Sequence, residues 1–252
     1  LRAWPLRARV ATRLPAGGVL LQDEAGPLVR MDVDGDRTEQ VFAGLPPLSD
    51  LVASERYVVG VGRETVTLLD GAARALVARL PCEHPLSAAF SPSAPLLVVG
   101  TGELQRGELA STGPFLVFDL AGDLARPRSL TVFGRAEGVC FTPDGRLFGG
   151  ATGFRLQEVD LERGEVVGEL SSKEASGVGF TEFAHRGHIK AVVASRDARL
   201  LFSCAHPHFQ RGETELRAWD LARGEELASA ELPGRPLTLD VAPSGGALLV
   251  GT

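Results

Sequence analysis

Along this chain apolar residues come in short runs rich in Val, Leu and Phe, broken by Gly, Pro, Asp or Ser at spacings of about 8–12 residues. Helix-period stretches are scarce. Five segments share one shape: an apolar run, an Asp near its end, and a turn. They are LVRMDVDG around Asp32, TVTLLDG at Asp70, FLVFDLAG at Asp119, LQEVDLERG at Asp160 and LRAWDLARG at Asp220. Upstream of most lies a second shape, two apolar runs separated by a Pro/Ser/Asp/Gly turn: ATRLPAGGVLLQ from Ala11, AAFSPSAPLLVVG from Ala88, VCFTPDGRLFGG from Val139 and LDVAPSGGALLVG from Leu239. Gly, Asp and Pro supply the backbone angles that tight strand reversals need.

Regularly spaced short strands are compatible with a sandwich, a barrel or a propeller. A period of about forty residues holding four strands selects the propeller, because a sandwich has no reason to repeat. The expected fold is therefore all-β, a β-propeller of four-stranded antiparallel blades filling residues 1–252 as one domain. With strands a to d running from the axis outward, five complete blades fall at roughly Arg7–Gly44, Leu45–Pro81, Cys82–Gly134, Arg135–Ser172 and Lys173–Pro233. Arg235–Thr252 supplies strands a and b of a closing blade. Pro5, Pro81 and Pro233 precede the turn prolines Pro15, Pro92 and Pro243 by ten or eleven positions. The first residues, LRAWP, thus read as the outer strand of that split closing blade, whose strand c is missing after Thr252. Six blades are favoured and seven stay open. A chain that starts at Leu1 and lacks this strand reads as part of a longer one.

Composition narrows the function classes. Net charge is −6 with both signs mixed along the chain, and no Lys/Arg block marks a nucleic-acid face. No apolar run approaches the roughly 18 residues that span a bilayer. Three cysteines, Cys82, Cys140 and Cys204, lie far apart without CxxC spacing, as suits buried reduced thiols in a cytoplasmic protein. Basic residues are nearly all Arg, which reflects a high-GC coding bias.

The fifth blade carries Gly187-His188 before strand a, Ser203 in strand b and Trp219-Asp220 at the end of strand c. This resembles the WD repeat, here in degenerate form, since the other blades keep the strand pattern without the Gly-His and the Trp. The resemblance implies a buried network of His188, Ser203 and Trp219, with the Trp219-Asp220 pair closing the blade. The b–c turn of this blade is a long insertion with no obvious Asp to complete the network.

Two b–c loops are enlarged and resemble each other. GTGELQRGELASTG from Gly100 and AHPHFQRGET from Ala205 both carry Gln-Arg-Gly-Glu, at Gln105–Glu108 and Gln210–Glu213. One reading is a hairpin extension with an Arg-Gly tip. The other is a pair of projecting fingers, Gln105, Arg106, Glu108, Gln210, Arg211 and Glu213, that grip a protein partner together with His206, His208 and Phe209. Four of five histidines, His185, His188, His206 and His208, gather in the fifth blade near Cys204, yet an HxH around Pro207 does not by itself converge on a metal. No GxSxG, HExxH or P-loop is present. The recurring Asp residues suit turn N–H groups, and the inner strands LSAAF, EGVCF, KAVVA and LTLDV bring only Glu137 and Asp240 to the axis. The expectation is a non-catalytic scaffold with a protein partner and no metal or cofactor. The rival is a central-channel ligand binder or metal-dependent enzyme.

Overall fold

The computed structural model describes residues 8–15, 17–23, 26–32, 37–102, 104–105, 108–109, 113–132, 136–151, 154–172, 183–207, 214–234, 238–242 and 247–251. Five four-stranded antiparallel sheets form the blades. The first contains β1 (Ala8–Arg13), β2 (Val19–Asp23), β3 (Leu28–Met31) and β4 (Thr38–Phe42). The second contains β5 (Leu48–Ala53), β6 (Tyr57–Gly62), β7 (Val66–Asp70) and β8 (Ala75–Leu80). In the third, β9 (Pro85–Phe90) and β10 (Leu96–Thr101) are followed by a separate hairpin, β11 (Leu104–Gln105) and β12 (Glu108–Leu109), before β13 (Gly113–Asp119) and β14 (Arg128–Val132). The fourth is β15 (Ala136–Phe141), β16 (Leu147–Ala151), β17 (Leu156–Asp160) and β18 (Glu165–Leu170). The fifth is β19 (Gly187–Ala194), β20 (Leu200–Pro207), β21 (Thr214–Asp220) and β22 (Glu225–Leu232). A further two-stranded sheet, β23 (Thr238–Val241) and β24 (Leu248–Gly251), packs beside the fifth blade, where strands a and b of the expected closing blade fall. The LRAWP segment, expected as its outer strand, lies outside the described residues. Among the described residues no helix is long and apolar enough to cross a membrane.

Strand sequences look continuously apolar because both faces of each sheet are buried, one against each neighbouring blade. Consecutive residues go to different cores. Val58 and Leu69 pack toward the first blade with Leu20, Leu28 and Phe42, while Val59 and Leu68 pack toward the third with Leu97, Val99 and Phe118. Val98, Phe115 and Val117 face the fourth blade with Val139, Leu147 and Val159. Phe148 and Leu156 meet Ile189, Leu201 and Trp219 of the fifth. The core is thus a series of slabs between blades.

Close approach dictates small residues at two positions of β16. A Cβ on Gly149 would stand 2.3 Å from Phe115 Cζ, and one on Gly150 would stand 2.3 Å from Ile189 Cγ2. Phe115 and Ile189 are fully buried and have little room to retreat.

Bulges recur at fixed places. The register skips Arg9, Ser49, Leu86, Glu137 and Lys190 on the inner strands of the five blades, which re-aims the last four side chains. On outer strands it skips Val77, Val167 and Leu227, all about half exposed, and so disrupts edges that would otherwise template strand pairing. The turn aspartates cap the c–d reversals as expected. Asp70 accepts the Ala72 and Ala73 N–H groups, Asp119 that of Ala121, Asp160 those of Glu162 and Arg163, and Asp220 those of Ala222 and Arg223.

Gly149→Ala is expected to destabilise the fold by ~2 kcal/mol through overpacking against Phe115, read as a lower urea midpoint. The double variant Gly149→Ala/Phe115→Leu should recover part of that loss, which a pure strand-propensity effect would not.

Candidate functional site

A buried polar cluster joins the fourth and fifth blades. Trp219 Nε1 donates to Ser203 Oγ at 2.8 Å, and Ser203 Oγ lies 2.7 Å from His185 Nε2. His185 Nδ1 lies 3.2 Å from Glu215 Oε2. With a neutral imidazole, these partners require Nδ1–H to donate to Glu215 and Nε2 to accept from the Ser203 hydroxyl. Arg217, 2% exposed, donates through Nε to Glu215 at 3.3 Å and through Nη1 to Ser172 Oγ at 2.6 Å, and also pairs with Glu226. Burial lowers the His185 pKa against the opposing pull of Glu215. Burial also pushes Glu215 upward, but the His185 hydrogen bond, the Arg217 charge and hydrogen bond, and the Arg186 N–H outweigh it and hold its carboxyl down to about 2.

The network therefore uses His185 where the sequence pattern pointed to His188. Ser172 pairs with Phe183, and the Ala184 and His185 N–H groups both reach Phe154 O, folding this segment back onto the fourth blade. That return carries His185 beneath Trp219. His188 instead opens β19 opposite His206, with its ring 5.6 Å from Phe154. Asp220 also stands apart from the network, since its carboxylate caps the c–d turn. The acid of the cluster is Glu215, from strand c rather than from the b–c turn.

In the third blade the enlarged b–c loop contains a hairpin: Leu104 pairs with Leu109 and Gln105 with Glu108. Arg106 lies outside the described residues. In the fifth blade His206 belongs to β20, which runs to Pro207. His208, Phe209, Gln210, Arg211 and Glu213 lie outside the described residues. Hence His206 lies on a strand opposite His188, and His185 is committed to Ser203 and Glu215. Among the described residues no group of His, Cys, Asp or Glu could hold a metal ion. The cysteines are free, with burial the leading cause that pushes each thiol up to about 12.

The central channel, about 570 Å³, is lined by β1, β5, β9, β15, β19 and β23. Glu137 pairs with Lys190 from the neighbouring inner strand, both at bulges. Asp240 caps its own strand through the Val241 N–H at 2.8 Å. A third channel carboxylate is Asp50, which the inner-strand reading passed over although LSDLVA sets an acid inside an apolar run. Its Oδ1 accepts from Leu51 N and its Oδ2 from Ala88 N of the next blade. Burial raises Asp50 to about 6 despite these two N–H groups.

No family model matches the chain, and no curated protein does. Among solved structures, hydrazine synthase of Kuenenia stuttgartiensis is similar at a TM-score of 0.66 with 16% identity. The match covers 82% of this chain and 56% of that one. At this identity the likeness is one of fold, the β-propeller.

Two outcomes test this geometry. His185→Ala should cost about 2–4 kcal/mol by leaving Glu215 and Ser203 unsatisfied in the interior, whereas His188→Ala should cost much less; equal losses in thermal or urea melts would refute the assignment. A carboxyl raised in the folded state favours folding below its unfolded pKa and loses that advantage as pH rises through the folded value. Wild type should therefore lose stability relative to Asp50→Asn between pH ~4 and ~6, by up to about 3 kcal/mol for a shift of about two units.

Proposed function

We propose that this chain is a non-catalytic, WD-repeat-like propeller that serves as a rigid platform for a protein partner. The observation that carries the reading is the β11–β12 hairpin, a small sheet of its own inserted between two strands of the third blade. A two-strand extension on a stiff blade costs little entropy to hold a side chain out for contact. The sequence of the fifth blade repeats Gln-Arg-Gly-Glu, so two blades carry the same tetrapeptide, with Arg106 and Arg211 at matching positions of it. The Trp219–Ser203–His185 bonding supports the likeness to WD repeats. Three free thiols, those of Cys140 and Cys204 buried, fit a reducing compartment such as the cytoplasm.

A second reading places a small ligand or a reaction in the central channel. It is favoured by the convergence of Asp50, Glu137, Lys190 and Asp240 there, and a similar fold occurs in a chain named as a synthase. Stoichiometric calcium or zinc in the purified protein would favour this reading.

Arg106→Glu/Arg211→Glu should abolish capture of the partner in a pull-down while the melting temperature stays within a degree or so of wild type. Undiminished capture would defeat the finger reading.

A further inference from the structure

The outer halves of the first and second blades enclose a cleft of about 800 Å³ that belongs to neither the channel nor the b–c fingers. One wall is the end of β4 with the d–a connection, bringing Phe42, Leu45, Pro46 and Pro47. The other is β7 and β8 with their turns, bringing Leu69 and Leu76, the latter 54% exposed. Arg63, Arg74 and Arg79 line the cleft with Glu64, and Glu39 pairs with Arg74, on a chain whose net charge is −6. Among the described residues Arg63 and Arg79 form no ion pair.

Arg74 adds an independent observation. It is the fourth residue after Asp70 and has a φ of +52°, while the residues at the same offset after Asp160 and Asp220 are Gly164 and Gly224, at +73° and +68°. Two blades thus place glycine where the backbone turns left-handed, and the second blade places arginine there at a cost of about 1 kcal/mol. What arginine supplies in return is a guanidinium at the cleft, held by a bidentate contact with Glu39 of β4. That contact is exposed and contributes little stability.

We propose that this inter-blade cleft binds an extended acidic peptide segment of a protein partner, with apolar side chains on the Phe42–Leu76 floor and carboxylates on Arg63, Arg74 and Arg79. Guanidinium groups pair with carboxylates in bidentate geometry, and an apolar floor supplies the buried area that an exposed ion pair lacks. The cleft's size suits a few residues of extended chain.

The test is selection of a phage-displayed random dodecapeptide library on the intact chain, followed by affinity measurement with the enriched peptides. Enriched sequences should combine Asp or Glu with Leu, Phe or other apolar residues, and their affinity should fall with salt. Arg63→Glu/Arg79→Glu should weaken binding at least tenfold, and Arg74→Gly should weaken it severalfold without lowering the melting temperature. Arg106→Glu/Arg211→Glu should leave it unchanged, which separates this surface from the fingers. Failure to enrich any peptide, enrichment without acidic residues, or binding indifferent to the arginine changes would overturn the proposal.

Discussion

Every part of this molecule depends on the face-to-face packing of one sheet on the next. No blade has a core of its own: its two apolar faces are completed only by its neighbours, so stability is shared between successive interfaces. Toward the axis the strands crowd, and the bulges there leave polar backbone groups that must be satisfied. At the four junctions between successive complete blades the structure places a polar stitch near the axis. Gln22 donates to Pro46 O and accepts from Leu48 N, Asp50 accepts from Ala88 N, Ser87 donates to Ala136 O, and Glu137 pairs with Lys190. Residue types differ at each junction while the task is the same.

The fifth blade elaborates this theme away from the axis. Its cluster of His185, Ser203, Trp219, Glu215 and Arg217 is fully enclosed and reaches Ser172 of the preceding blade. A buried ionic network costs heavily in desolvation and gains little net stability over an apolar core. Its consequence is specificity of arrangement, since Glu215 gains His185 and the Arg186 N–H, and Arg217 gains Ser172, only when the segment following β18 returns to β21.

Toward the rim the constraint relaxes. Outer strands carry exposed apolar residues on their bulges, and the space between the first two blades widens into a cleft lined by arginines. The hairpin of the third blade is likewise an insertion that the slabs tolerate because it interrupts no interface. The two features proposed to bind partners sit where the repeat is broken or where the blades splay apart, while the repeat itself is spent on holding the ring.

Strand order, blade limits and the turn-capping role of the aspartates were determined by the sequence itself, because each follows from local rules. Short apolar runs, a Pro or Gly at a reversal and an Asp two residues before an N–H act within a few positions of the chain. The identity of the network histidine was not local. Gly187-His188 matched the spacing of the motif, yet His185 was carried under Trp219 by a segment that folds back on another blade. Glu215, Asp50 and the arginine cleft escaped for the same reason: each acquires its role from a neighbouring strand or blade. Only the tertiary structure decided these, since it alone brings together residues that no periodicity relates.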